Sequence, residues 1–249
     1  MIFLAHHLRL TQGTFRLEAD LLAQGNVIGI FGESGAGKTT LLEIVAGLRR
    51  PASGRIAIDG LFLMDSPKSI FQPPEQRGIG YVPQDLALFP HLSVRHNLAY
   101  GHKPAVAKTG INLAHVTGVL GIETLLDRAI SELSGGQKQR VAFARAILSS
   151  PRLLLMDEPL ASLDQELKLA ILPYLKRIRD EFKIPMLYVS HSPDEVAELC
   201  DQVIVMRDGK CLCVRPPEAL FETSTAMALR PGIYEAIPAN GAALPESRG

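Results

Sequence analysis

Gly32-Glu33-Ser34-Gly35-Ala36-Gly37-Lys38-Thr39 fits the pattern G-x-x-x-x-G-K-[ST]. It lies between an apolar strand, Val27 to Phe31, and a helix expected to open near Lys38 and run through Leu41, Leu42, Ile44 and Val45 to Gly47. Strand, glycine-rich loop and helix in that order read as a phosphate-binding loop. Gly32, Gly35 and Gly37 allow successive backbone N–H groups to turn toward a polyphosphate, and the helix N-terminus adds positive potential at the same place. Lys38 can reach the β- and γ-phosphates as a flexible cation, and the Thr39 hydroxyl is a candidate Mg²⁺ ligand. Glu33, Ser34, Ala36 and Thr40 complete the loop's candidate nucleotide-binding set, with Thr40 chiefly a packing or capping residue.

Composition sets the frame around this loop. With 249 residues, 47% of them hydrophobic and 21% charged, the chain can form one large α/β domain or a core with a subdomain. Lys plus Arg equals Asp plus Glu at 26 each, so there is no overall bias toward nucleic acid or anionic membrane, and no nucleic-acid partner is expected. The apolar start Ile2-Phe3-Leu4-Ala5 lacks a basic flank and is too short for a signal peptide, and no window approaches the ~18 apolar residues of a membrane span. The chain is therefore expected to be soluble and cytoplasmic unless another subunit holds it at a membrane. Cys200, Cys211 and Cys213 read as reduced thiols, with Cys211 and Cys213 expected on one strand face.

Residues 1–26 alternate apolar and polar positions around Gln12-Gly13, which predicts an antiparallel hairpin in which Phe15 could stack on an adenine ring. A strand at 55–60 and a polar loop at 65–78 precede the strand Gly78 to Val82, which delivers Gln84 to its C-terminal end. There the Gln84 amide oxygen can bond a Mg²⁺-bound or attacking water. Residues 85–150 show helical periodicity and no convincing strand, as a helical subdomain inserted in the core would, with helices expected at 93–98, 116–126 and 136–148. Leu133-Ser134-Gly135-Gly136-Gln137 carries a capping-box pattern beside two glycines, a second anion-binding helix start. Since one loop already cradles a nucleotide, a second phosphate site suggests closure on a nucleotide held by another copy.

Leu153-Leu154-Leu155-Met156 predicts a buried strand that places Asp157 to hold Mg²⁺ and Glu158 to act as general base on the attacking water. Asp164 caps the next helix, 165–182, which Pro173 is expected to kink or interrupt. His191 ends the strand 185–190, where it could bond a γ-phosphate or orient the water, and Ser192-Pro193 starts another helix. A hairpin through Asp208-Gly209 and a short helix at Pro217 follow, and the tail from about 226 to 249 is expected to be partly disordered.

The ordered set from Gly32 to His191 resembles the ATP-binding cassette (ABC) ATPases over about residues 1–225. The phosphate loop, Gln84, the signature-like residues 133–137, Asp157 and Glu158, residues 162–164 and His191 all fall in family order. The resemblance implies an α/β P-loop NTPase core with an N-terminal antiparallel β subdomain and an inserted helical subdomain near 85–150. It also implies ATP and Mg²⁺ as cofactors, ATP hydrolysis by Glu158, His191 and Gln84, and metal binding by Thr39, Gln84 and Asp157. Two chains would pack head to tail, so that Ser134, Gly135, Gly136, Gln137 and Asp164 of one contact the ATP of the other.

Residues 88–94 look like importer cassettes, and residues 172–175 and 184–192 are similar to the molybdate-importer branch. That similarity implies a membrane permease docked near residues 84–94, a periplasmic or extracellular substrate-binding protein and residence on the cytoplasmic face of the membrane. The further C-terminal oxyanion-binding domain usual in that branch is not expected within 249 residues. The rivals are an importer for another anion, an exporter's ATPase subunit and a soluble cassette acting on nucleic acid or ribosomes.

Overall fold

Strands in which every residue is apolar need cover on both faces, and the tertiary structure supplies it. The computed structural model describes residues 1–100, 111–222, 228–229 and 233. The chain runs β1 (Ile2–Gln12), β2 (Phe15–Gln24), β3 (Val27–Phe31), α1 (Lys38–Ala46), β4 (Ser53–Ile58), β5 (Leu61–Asp65), β6 (Ile70–Phe71), β7 (Ile79–Val82), α2 (Val94–Ala99), α3 (Leu113–Leu120) and α4 (Gly135–Leu148). It continues through β8 (Leu153–Asp157), α5 (Gln165–Arg177), β9 (Met186–Ser190), α6 (Pro193–Leu199), β10 (Gln202–Arg207), β11 (Lys210–Arg215), α7 (Pro217–Leu220), β12 (Phe221–Glu222) and β13 (Ala228–Leu229). One sheet takes the order β6-β5-β4-β1-β2-β11-β10-β3-β9-β8-β7. Its β10-β3-β9-β8-β7 half is parallel, and its β6-β5-β4-β1-β2 half is antiparallel.

The period of two along a strand divides the parallel half between two cores. Val27 and Phe31 of β3, Leu154 and Met156 of β8, and Met186 and Tyr188 of β9 pack with α3, α4, α5 and α6. Their neighbours Ile28, Ile30, Leu153, Leu155, Leu187 and Val189 face the other side. There Leu41, Leu42, Ile44 and Val45 of α1 lie between these strands and Phe3, Leu8, Leu17 and Ile56 of the antiparallel half. Full burial of each such side chain stabilises the fold by about 1.5–3 kcal/mol. Packed from both sides, α1 is fixed relative to the strand ends that surround its N-terminus.

The C-terminus of α1 is held as well. Gly47 at φ 85° ends it, and Arg77, 1% exposed, donates from Nη1 to the carbonyls of Ile44 (2.8 Å) and Val45 (2.7 Å) and from Nε to Gln72 O (2.7 Å). A cation there opposes the negative end of the helix dipole. Burial pulls the Arg77 guanidinium down to about 10.

Several local expectations change. The loop predicted at 65–78 contains β6 and a 3-10 turn, Pro74–Gln76, and β5 precedes it. α3 opens at Leu113, three residues early, because Asn112 caps it by accepting from His115 N, and it stops at Gly121 rather than continuing to 126. Pro173 does not interrupt α5: it faces solvent, while Ile171, Leu172 and Leu175 pin the helix, and the irregularity comes later as the π turn Ile178–Phe182. Cys211 and Cys213 do not share a face, because a bulge places Leu212 between the pairs Met206↔Cys211 and Val205↔Cys213. Cys211 packs on the α1 core and Cys213 on the other. Burial pushes the Cys211 thiol up to about 12. The expected tail, 226–249, lies outside the described residues except for 228–229 and 233.

Replacing Arg77 with Met keeps the apolar stem but leaves three carbonyls short of a donor. Arg77→Met is expected to lower unfolding stability by about 3 kcal/mol, read as a drop in the urea midpoint with an unchanged slope.

Candidate functional site

The parallel strands end in register at one edge. Phe31 of β3 pairs with Ser190 of β9, Val189 with Asp157 of β8, and Met156 with Val82 of β7. The next residues, Gly32, His191 and Glu158, emerge side by side, with Pro83-Gln84 on the same edge, where open α/β sheets take ligands. A cavity of about 470 Å³ opens there, lined by Phe31, Gly32, Glu33, Ser34, Glu158, His191 and Leu229. Gly37 caps α1 at φ 96°, and a Cβ at this position would lie 2.9 Å from Phe15 Cζ. The aromatic raised from the sequence as an adenine platform thus abuts the phosphate loop.

Lys38 is 5% exposed; its Nζ donates to Gly32 O at 2.9 Å and Glu33 O at 2.9 Å and forms an ion pair with Glu158 Oε1 at 3.3 Å. Glu158 Oε2 lies 3.1 Å from His191 Nδ1, so the carboxylate bridges Lys38 and His191. Glu158 holds this place with φ at 44°, a left-handed conformation uncommon outside glycine, and its N–H donates to Val189 O at 3.0 Å. The local turn and the adjacent strand together aim its side chain into the cavity mouth.

Asp157, 2% exposed, accepts from Thr39 Oγ1 at 3.0 Å and from Tyr81 Oη at 3.4 Å. Burial raises its carboxyl pKa, the Thr39 hydrogen bond works against the rise, and the neighbouring charge of Glu158 adds to it. Burial first, then the charge of Asp157, pushes the Tyr81 phenol up. Both of these hydrogen-bond partners are neutral hydroxyls, so the buried carboxylate has an unmet demand for positive charge. A carboxylate beside a hydroxyl is the oxygen donor set that a hard cation such as Mg²⁺ takes.

The remaining predicted residues stand elsewhere. Ser134 and Gln137 form the reciprocal capping box at α4, with Gln137 N donating to Ser134 Oγ at 3.3 Å and Ser134 N to Gln137 Oε1 at 2.9 Å. Ser134 and Gly135 are exposed, whereas Gly136 is buried against Leu167 and Ile171 of α5. Asp164 caps α5 by accepting from Leu167 N at 2.8 Å. Thr40 is half-buried in α1, and Gln84 is exposed. None of these lines the cavity. Apart from Thr40 inside α1 and Gln84 on the strand-end edge beyond β7, the candidate residues fall into one group gathered at the strand ends and another displayed at the starts of α4 and α5. Gln139 of α4 donates to Pro159 O, linking the second group to the turn after Glu158.

The ABC transporter family model matches residues 20–161. The chain belongs to the ABC transporter family. It is 50% identical over 236 residues to the molybdenum import ATP-binding protein ModC of Rhizobium etli, covering 91% of this chain and 66% of that protein. It is likewise 50% identical over 233 residues to ModC of Paramagnetospirillum magneticum, covering 92% and 63%. The chain thus spans less than two thirds of the length of these curated relatives. Among solved structures, a dimeric bacterial ABC transporter cassette superposes with a TM-score of 0.68 at 25% identity, over 88% of this chain and 99% of that one. A bacterial ABC exporter with ATP bound gives 0.70 at 26% identity, over 87% and 39%. The α/β P-loop architecture read from the sequence is the ABC cassette fold. Among the described residues, no helix is long and apolar enough to cross a membrane.

Two residues of this ABC cassette escaped the sequence reading. Tyr81 shows no motif, because its contact with Asp157 exists only once β7 and β8 pair. Glu195 follows Ser192 by three residues, a capping-box spacing, yet its carboxylate turns inward. It accepts from Tyr188 Oη at 2.9 Å and Ser190 Oγ at 2.8 Å, and lies 3.2 Å from Lys168 Nζ of α5. Glu195 thereby ties the strand end before His191 to the helix that Asp164 caps. Glu195→Gln keeps the shape but weakens the bonds to a charged acceptor, and should lower stability by about 1–3 kcal/mol in chemical denaturation.

Proposed function

We propose that this chain is the ATP-hydrolysing subunit of an ABC importer that couples ATP binding, dimer closure and hydrolysis to uptake of a small oxyanion, molybdate. The observation that carries the ATPase reading is the Glu158 carboxylate bridging Lys38 and His191 at the mouth of the phosphate-loop cavity. The molybdate reading rests on the ModC relatives and on residues 172–175 and 184–192.

In this reading residues 32–40 cradle the triphosphate, Lys38 turns from the loop carbonyls to the β- and γ-phosphates, and Phe15 packs against the adenine. Glu158 takes the proton of the attacking water as its oxygen bonds to the γ-phosphorus. The bond to the β,γ-bridging oxygen breaks, and that charge leaves on ADP. His191 orients the water and the γ-phosphate, and Gln84 reaches the water from the end of β7. Mg²⁺, held by Thr39, Asp157 and Gln84, would offset the phosphate charge.

The second group of residues acts across a dimer. Ser134, Gly135, Gly136, Gln137 and Asp164 lie away from the cavity of their own chain, and a second copy of the chain, packed head to tail, brings them to the nucleotide. The ABC ATPase domain covers residues 1–225, with a helical subdomain at about 85–150 and a tail at 226–249. A membrane permease docks near residues 84–94 and holds the chain at the cytoplasmic face, and a periplasmic or extracellular binding protein delivers the anion. The exporter reading has the ATP-bound exporter as a structural neighbour, but at 26% identity against 50% for the import proteins. Co-purification with a permease and a binding protein separates the two.

Glu158→Gln is expected to retain ATP affinity, lose nearly all turnover and accumulate as an ATP-bound dimer in sizing experiments. Unchanged hydrolysis in that variant removes Glu158 from its role. Ser134→Arg is expected to abolish hydrolysis while each monomer still binds ATP. Dimerisation by ATP in that variant defeats the cross-subunit assignment and leaves the Glu158 assignment intact.

A further inference from the structure

Far from the strand ends, in the antiparallel half, β1 is irregular. Its register slips between Ala5 and Leu8 against β2 and between His6 and Arg9 against β4. His7 stands in this bulge at φ 49°, and its N–H donates to Asp20 Oδ1 of β2 at 2.6 Å. The bulge is built from both sides. Asp20 holds it from β2, and Gly54 of β4 presses on it so closely that a Cβ there would lie 2.5 Å from Leu8 Cα and 2.8 Å from His7 O.

A bulge re-aims side chains that a regular strand would send to opposite faces. Here it turns two adjacent imidazoles toward one carboxylate, with His6 Nδ1 3.0 Å from Asp20 Oδ1 and His7 Nδ1 3.4 Å from Asp20 Oδ2. The rings stand 3.9 Å apart, and one ligand atom from each of the three residues falls within 4.8 Å of the others. His6 Nδ1 is buried and makes no hydrogen bond, despite its ion-pair distance from Asp20. Arg55, opposite His6 on β4, is committed to Asp65 at 3.3 Å and does not neutralise Asp20.

We propose that His6, His7 and Asp20 bind a divalent late first-row transition metal, with Zn²⁺ as the best match. Two imidazole nitrogens and one carboxylate suit such ions rather than Mg²⁺ or Ca²⁺. Bond lengths of about 2.0–2.2 Å put ligand atoms roughly 3–3.5 Å apart around a tetrahedral ion; each imidazole already stands at that distance from one Asp20 oxygen, and metal binding draws the set in from its present 4.8 Å limit. His7 and Asp20 are exposed enough for water to complete the coordination. The bound ion satisfies the orphaned His6 nitrogen and clamps the bulge, fixing the register of β1 between β2 and β4.

The test is calorimetric titration of the nucleotide-free full chain with Zn²⁺ near pH 7.5, beside His7→Asn, Asp20→Asn and, as control, His115→Gln. Asn tolerates the left-handed backbone at position 7, so His7→Asn removes a ligand without straining the bulge. One Zn²⁺ per chain is expected, with affinity at least about tenfold weaker in the first two variants and unchanged in the control. Co²⁺ substitution should give visible absorption without a thiolate band. Equal Zn²⁺ binding by His7→Asn and Asp20→Asn, no binding by the wild-type chain, or a thiolate band overturns the proposal.

Discussion

A buried ammonium needs hydrogen-bond acceptors and a counter-charge, and Lys38 finds both only where β3, α1 and the turn after β8 converge. The acceptors are two carbonyls of its own loop, and the counter-charge is the Glu158 carboxylate, reached across the sheet. Satisfying the lysine therefore fixes the carboxylate, and the carboxylate in turn fixes His191. An unpaired charge at this depth costs several kcal/mol, which is the physical reason these side chains form one connected chain.

The sheet makes that convergence possible. Because alternate residues of β3, β8 and β9 are buried in two different cores, a one-residue slip of any strand would exchange its two apolar faces, and each terminal residue would move along the edge. Register and site geometry are one constraint. Arg77 and Glu195 extend it outward, the first closing the far end of α1 and the second joining the end of β9 to α5. Gln139 carries the same linkage to α4, so the exposed capping box at Ser134 is anchored to the turn that carries Glu158.

The apolar runs, the glycine loop and the caps were readable because each is a local pattern with a local physical cause. The phosphate loop sits between β3 and α1 as its motif requires, Ser134 and Asp164 cap the helices they precede, and the hairpin turns lie where glycine permits them. Pro173 leaves α5 unbroken because the buried Ile171, Leu172 and Leu175 hold the helix on either side of it, a tertiary effect that the proline's local chemistry does not foretell. Cys211 and Cys213 misled because two-residue spacing implies a shared face only in a strand without a bulge.

The sequence by itself determined the family, the phosphate loop, the strands that carry Asp157, Glu158 and His191, and the helix starts at Ser134 and Asp164. These depend on residues close together in the chain. The tertiary structure decided which of them meet: Lys38 with Glu158, Thr39 and Tyr81 with Asp157, Glu195 with Ser190 and Lys168, and the two histidines of β1 with Asp20. Each of those contacts joins segments brought together by sheet order, register or a bulge. Such relations arise from burial across the whole fold and leave no periodic trace along the chain.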